Sequence, residues 1–477
     1  LTSLKNEASH AADGGPPRTV RQTLLAMLGL CGVLVMVALD QTVIGTALPT
    51  VVAELHGFEL YAWVGTSYLL TSVITIPIFG KLGDEHGRKP FVLAAITLFT
   101  LASMLCGAAQ SMLMLVLMRA LQGAGGGMLV ATTFACVPDL FPDARQRLRW
   151  QVLLSSSYGI ANAFGPSLGG YLAEFWGWRW VFFVNLPVGL LSLYFVWRHL
   201  PRIRHASAPP ARLDWLGAIL IALTLGSLQL GVEWLPQPHP VWVMTLLAAL
   251  VLVSASALVW WERRCTNPVL PPEMFTHRSL APLFTLSLLM GFCMYAVMYY
   301  APLMFQHGFG LSPNEAGLLI TPLAVSITVG SIANGRIAPR LRSLNVMVFI
   351  GLGSFTTAVL ILTQAVRSTP HSVIVAAMVL GGLGLGLLLP NLTLFAQACA
   401  PRTQLGVATA MMQSTRMVGG MLGTALIGAF VTRSAQHHGE LVSAIHSGQW
   451  IVVALLVLAM VVARRIPPIY LHEPAVR

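Results

Sequence analysis

The stretch LLAMLGLCGVLVMVALDQTVIGTALPTVV, residues 24–52, decides the fold. A helix needs about 20 apolar residues to cross a hydrocarbon core of about 30 Å, and this run exceeds that. It carries one charge, Asp40. At 1.5 Å of rise per residue, Asp40 sits roughly 24 Å along the helix, far from its inner end. A carboxylate at that depth is costly and tends to face a water-filled cavity or a partner.

The rest of the chain repeats the pattern. Further apolar spans are expected at 60–79, 90–109, 112–136, 151–172, 180–198, 215–234, 241–261, 280–305, 314–334, 345–366, 372–396, 405–432 and 449–466. Of 477 residues, 56% are hydrophobic and 9% charged. Soluble domains carry about 25% charged residues, so a water-soluble fold is excluded and only short loops remain. The reading is an all-α membrane protein with 14 transmembrane helices. The net charge of +11 belongs to loops facing the membrane surface and implies no nucleic-acid partner. The six cysteines (Cys31, Cys106, Cys136, Cys265, Cys293 and Cys399) form no C-x-x-C pair, and most lie in apolar segments, so they read as packing residues. The thirteen histidines show no metal-ligand spacing.

Lysine and arginine set the orientation. With the N-terminus inside, the outer loops hold only Arg179, Arg367 and Arg433, and Arg119 and Arg416 lie within spans. All the others fall in inner segments, which places both termini in the cytoplasm. The first roughly 20 residues are polar and read as a cytoplasmic tail without a cleavable signal peptide.

Two halves are visible. Leu121-Gln-Gly-Ala-Gly-Gly-Gly127 aligns with Leu380-Gly-Gly-Leu-Gly-Leu-Gly386, and Pro142 falls on Pro401 at the same offset. Gly165 and Gly169 match Gly419 and Gly423. Related halves are a transporter signature, with the solute site between them near mid-membrane. The domains expected are a tail over 1–23, a six-helix bundle over 24–205, two inserted helices over 206–270, a second bundle over 271–466 and a tail over 467–477. Arg119 meets Met378 in the alignment, so the chemistry concentrates in the first half.

Asp40 and Arg119 are the candidate proton-coupling pair. Burial disfavours a charged carboxylate and a nearby cation favours it, so a change in their separation binds or releases a proton. The alternative is a permanent structural ion pair. Arg416 is a structural or coupling candidate. The turn Gly80-Lys-Leu-Gly-Asp-Glu-His-Gly-Arg-Lys-Pro90 reads as a conformational gate built on Gly80, Asp84, Gly87 and Arg88. By physics alone, Gly159, Gly165, Pro166, Gly169 and Gly170 make a kinked packing helix. Met290, Met294, Tyr295, Met298 and Tyr299, with Asn391, are candidates to line a substrate cavity together with Asp40. Thioethers and aromatic faces suit varied ligands, and lipid or bundle packing is the competing reading. No nucleophile motif or phosphate-cradling loop is apparent, so the chain is expected to be no enzyme, with an ion gradient and no cofactor as its energy source.

These motifs resemble the 14-span drug:proton antiporter family of the major facilitator superfamily. Gly80 to Pro90 is similar to its loop 2–3 signature. Arg119, Gln122, Gly123 and Gly125 resemble the span 4 signature, and Gly159 to Gly170 the antiporter motif of span 5. Leu39 to Pro49 resembles the span 1 motif, with Gly45 where Asn is frequent, and Asn334-Gly-Arg336 is a degraded second copy of the loop signature. The resemblance implies a major facilitator fold of two six-helix bundles plus two inserted helices. It implies a proton carrier at Asp40, assistance from Arg119, and a gate at Asp84 and Arg88. The implied function is export of amphipathic, cationic or neutral drugs across a bacterial inner membrane by alternating access. Membrane lipid, proton and substrate are then the partners, and a periplasmic adaptor protein stays open. A dedicated exporter of one metabolite, such as a siderophore, sugar or amino acid, is the alternative.

Overall fold

The computed structural model describes residues 20–141, 144–201, 214–234, 239–265, 268, 272–337, 343, 345–400, 405–436 and 441–466. Its helices are α1 (Val20–Leu55), α2 (Tyr61–His86), α3 (Arg88–Gly107), α4 (Met112–Leu140), α5 (Ala144–Phe175), α6 (Trp180–Phe183) and α7 (Asn185–His199). There follow α8 (Trp215–Trp234), α9 (Val241–Glu262), the short α10 (Pro272–Thr276) and α11 (Leu280–Leu303) with a π-helical turn at Met304–Gly308. The last are α12 (Pro313–Ile337), α13 (Asn345–Thr363), α14 (His371–Cys399), α15 (Leu405–Gln436) and α16 (Leu441–Ala463). No strand occurs among the described residues. Thirteen described segments are long and apolar enough to cross a membrane, α6 and α7 forming one of them. The 32-residue α5 is a fourteenth by length, its polar N-terminal turns lowering its hydropathy.

Some boundaries differ from the sequence reading. The last span begins at Leu441 rather than 449, because the polar Ser447 and Gln449 interrupt the apolar run while Gly448 and Gln449 pack inward. The sixth span is broken at Val184, and the ninth continues past 305 through the π-helical turn. Pro142 and Pro401 and the chain outside 20–466 lie beyond the described residues.

The glycine repeat proves to be a packing repeat. A Cβ on Gly123 would strike the Tyr68 carbonyl and Thr71 hydroxyl of α2, and one on Gly127 the Thr75 hydroxyl. On the next face, a Cβ on Gly125 would lie 2.9 Å from the Phe99 nitrogen of α3. In the second half, Gly382 and Gly386 meet the Leu323 and Ile327 carbonyls of α12 in the same way, and Gly384 meets Gly351 of α13. Gly165 and Gly169 of α5 press on Thr42, Val43 and Thr46 of α1, as Gly419 and Gly423 of α15 press on Leu288 and Phe292 of α11. Small residues let backbones approach where lipid supplies no hydrophobic drive between helices. Hydroxyls then bond across the gap. Ser67, Thr71 and Thr75 of α2 donate to the carbonyls of Val116, Ala120 and Ala124 on α4, at 3.2, 2.7 and 3.2 Å.

Two seams join the halves. Along one, α5 faces α12: Gly170 meets the Pro313 carbonyl and Gly317 the Pro166 carbonyl, and Thr328 Oγ1 donates to the Gly159 carbonyl at 3.1 Å. Along the other, α2 faces α15, and α8 packs over both. Helix α9 leans on α8 and leaves most of its surface to the bilayer. Between the seams α1 meets α11: Gln306 Nε2 donates to the Thr46 carbonyl at 2.7 Å, and Tyr61 Oη of α2 to the Tyr299 carbonyl at 3.0 Å. These cross-half bonds run from mid-membrane to the end that holds the α1–α2, α5–α6 and α11–α12 connections, which is the arginine-poor end.

Candidate functional site

Helices α1 and α4 bring Asp40, Arg119 and Gln122 together in a closed ring. Arg119 Nη1 donates to Asp40 Oδ2 at 2.7 Å and to Gln122 Oε1 at 2.8 Å. Gln122 Nε2 donates to Asp40 Oδ1 at 2.7 Å, so both carboxylate oxygens are engaged. Arg119 and Gln122 share one face of α4 because residues three apart are neighbours there. Arg119 Nε donates to the Val64 carbonyl of α2 at 3.2 Å, and its guanidinium lies 4.5 Å from the centre of the Tyr68 ring. The site is sealed: Arg119 and Gln122 are 0% exposed and Asp40 3%.

The backbone around the ring is cut to admit it. Thr42 turns its hydroxyl back to the Ala38 carbonyl at 2.9 Å, and Thr46 shares its hydroxyl between the Val43 carbonyl at 3.0 Å and the Pro166 carbonyl of α5 at 3.2 Å, so the hydroxyls on this face of α1 are satisfied within the helix and across to α5. Pro49 interrupts α1 nine positions beyond Asp40 and leaves Gly45 without its helical donor. Gly45 is the contact with the second half, where a Cβ would lie 2.9 Å from the Met298 carbonyl.

Chemically, the ring is a buried ion pair capped by an amide. Ionised Asp40 balances Arg119, and protonated Asp40 leaves the guanidinium with neutral partners only. The ionised pair is the state the closed ring holds at least cost, and a protonated Asp40 would leave Arg119 buried without a counter-charge. The closed ring offers Asp40 no open path to solvent. The Nη2 atom of Arg119 is a buried donor without a hydrogen-bond partner, and the Tyr299 phenol of α11 faces the guanidinium within electrostatic reach. Tyr299 also packs on α2, where a Cβ on Gly65 would stand 2.7 Å from its ring. The second half thus touches the ring directly.

The other residues read from sequence distribute as follows. Met290, Met294, Tyr295 and Tyr299 are buried, and Met298 is half-buried. Tyr295 packs against Gly420 of α15. Asn391 is fully buried between α12 and α14, giving Nδ2 to Asn334 Oδ1 and to the Leu387 carbonyl, both at 2.8 Å. Gly80 is open, with nothing within 4 Å of a Cβ placed there, and Gly87 turns between α2 and α3 at φ 86°. Arg88 begins α3, its Cγ 3.5 Å from a Cβ on Gly83. The Asp84 side chain lies outside the described residues. Gly159 and Gly170 face α12, Gly165 and Gly169 face α1, and Pro166 accepts a hydrogen bond from Thr46 Oγ1 at 3.2 Å on its carbonyl. Arg416 is half-buried on α15, hydrogen-bonded to Gln413.

Sequence reasoning left Gln122 outside the coupling pair. Its signal was present, an amide three positions after a buried arginine on one helix face. Tyr68 and the Val64 carbonyl carried no sequence signal, because only the crossing of α2 and α4 brings them to Arg119.

Known proteins show the same pattern at three levels. A family profile described as Major Facilitator Superfamily matches residues 30–424. The Multidrug transporter protein MdtP of Bacillus subtilis is 32% identical over 411 residues, covering 86% of this chain and 75% of its own. Multidrug resistance protein 3 of the same organism is 30% identical over 417 residues, covering 86% and 80%. The uncharacterized MFS-type transporter Rv1877 of Mycobacterium tuberculosis is 33% identical, and the match spans 60% of its length. Among solved structures, an auto inhibited POT family peptide transporter superposes with a TM-score of 0.68 at 14% identity, covering 95% of this chain and 99% of its own. The inward open xylose transporter XylE from E. coli superposes with 0.65 at 16% identity, covering 94% and 96%. At those identities the structures speak for the fold alone.

Proposed function

The chain belongs to the Major Facilitator Superfamily, a family of transporters rather than enzymes, and on that premise we propose that it is a proton-coupled antiporter that exports amphipathic compounds. The observation that carries the reading is the sealed ring of Asp40, Arg119 and Gln122, a titratable acid held against a buried cation with a side chain of the other half at its edge. In the proposed cycle, the bundles of 24–205 and 271–466 rock about the α5–α12 and α2–α15 seams. Opening to the arginine-poor side admits a proton to Asp40, and opening to the other side admits substrate and releases the proton. Gly80, Asp84, Gly87 and Arg88 gate the arginine-rich side, and the proton gradient supplies the energy without a cofactor. The names of the two Bacillus relatives support drugs as cargo, and the proposal takes these to be cationic or neutral amphiphiles and other toxic compounds. The proposed location is a bacterial inner membrane with both termini cytoplasmic.

The test is efflux from vesicles containing the full chain, loaded in turn with several unrelated amphipathic dyes. Imposing a pH gradient should drive efflux of more than one dye, and collapsing the gradient with an ionophore should stop it. Movement of a single metabolite and no dye would transfer the reading to a dedicated exporter. Efflux indifferent to the gradient would end the proton-coupled account.

A further inference from the structure

A second polar cluster lies at mid-membrane beside the ring and is unused by the proton cycle. Gln41 follows Asp40 on α1, and Tyr158 Oη of α5 donates to its Oε1 at 3.0 Å. Asn162, one turn along α5, reaches the same phenol. From the second half, Arg416 of α15 stands within electrostatic reach of Tyr158 and of Tyr295. Gln41, Tyr158, Asn162, Gln413 and Arg416 are each half-buried. Polar side chains on helices of both halves that keep partial exposure are placed to line a crevice between the halves, where a transporter of two related halves holds its solute.

The charge of this crevice is unequal. Asp40, the acid adjoining it, is already balanced by Arg119 and capped by Gln122. Arg416 takes part in no ion pair among the described residues; its hydrogen bond goes to the neutral Gln413. A guanidinium carries five N–H donors in a planar fork and no acceptor, so most of its donor capacity is left for a visitor. Its neighbours Tyr158, Tyr295, Gln413 and Asn162 add no negative charge. A cation on a partly dry wall, opposite phenol and amide groups, attracts a carboxylate, an enolate or a carbonyl and repels an ammonium.

We infer that Arg416 is the substrate-orienting residue of the central crevice and binds an anionic or carbonyl-bearing end of an amphiphile. This rests on the export reading and narrows its cargo. Neutral amphiphiles with acceptor groups, and zwitterions, are favoured over simple cations, with the apolar body of the molecule beside Tyr295 and Met298. Where a second, cationic end exists, Asp40 is its partner only in the state in which Arg119 has moved away.

The experiment is equilibrium binding to the full chain in detergent with three isosteric probes: 2-naphthoate, 2-naphthamide and 2-naphthylmethylamine. The carboxylate should bind about tenfold tighter than the amide, the size of one charge-assisted hydrogen bond net of desolvation, and the amine weakest. Arg416→Gln should erase the preference for the carboxylate, and Arg416→Lys should keep part of it. Size-exclusion behaviour and thermal melting of each variant establish that it is folded. Tighter binding of the amine, an unchanged preference in Arg416→Gln, or binding of no probe by the wild type would overturn the assignment. Dye efflux on the same preparations separates the two claims. Intact gradient-driven efflux with no Arg416-dependent preference sinks the subsite alone, and a clear preference without efflux sinks the export reading alone.

Discussion

Replacing Arg119 with methionine keeps an unbranched apolar stem and removes the guanidinium with its charge. The structure fixes what is lost: the 2.7 Å ion pair with Asp40, the hydrogen bonds to Gln122 and the Val64 carbonyl, and the stacking on Tyr68. Asp40 would keep only the Gln122 amide at 2.7 Å. Removing one partner of a buried pair costs about 3–5 kcal/mol, because the survivor is left charged and dry. Both side chains are buried almost completely, so solvent screening offers no discount. The double variant Asp40→Asn/Arg119→Met removes both charges and should be more stable than the sum of the single effects, by about 2 kcal/mol or more. Detergent-induced unfolding followed by tryptophan fluorescence measures all four proteins of the cycle. If the two single effects simply add, the ring is not a coupled unit and its reading as a buried ion pair is wrong.

Three further predictions concern the helices and their contacts. Gly169→Leu drives a side chain into the Val43 carbonyl and Thr46, so it should cost about 3 kcal/mol or more in stability by overpacking. Gly226→Ala, at an open position in α8, should be neutral or stabilising by up to about 1 kcal/mol; melting midpoints of the two variants compare them directly. Asn391→Leu leaves the Asn334 amide unpaired in the α12–α14 interface and should cost about 1–3 kcal/mol. Much of that should return in Asn334→Leu/Asn391→Leu, with probe binding unchanged throughout; a large loss of probe affinity in the double variant would return Asn391 to the cavity.

The fold was legible because the bilayer imposes a coarse code. Apolar runs of about 20 residues mark spans, and lysine and arginine mark one side. The paired glycines were legible too, since close helix contacts in a membrane have few other solutions, and Gly123 and Gly382 occupy matching contacts. Asp40 and Arg119 stood out because a charge within an apolar span is costly wherever its partner lies. The methionine and aromatic face of α11 was less legible. Composition alone does not separate a residue packed on a glycine, as Tyr295 is on Gly420, from one open to a cavity. Asn391 shows a related ambiguity: a polar residue in a span can be satisfied by one partner on the next helix, and sequence does not reveal Asn334 as that partner. Span ends blurred where polar residues face inward, as Gln449 does in α16.

The central claim is that the Asp40 carboxyl carries the coupled proton. Vesicles containing wild type or Asp40→Asn can be assayed twice, for net efflux driven by a pH gradient and for one-for-one exchange of labelled against unlabelled substrate without a gradient. The account predicts that Asp40→Asn loses gradient-driven net efflux and retains exchange, because the neutral amide still fills the ring but binds no proton. Gradient-driven efflux by Asp40→Asn at the wild-type rate would contradict it.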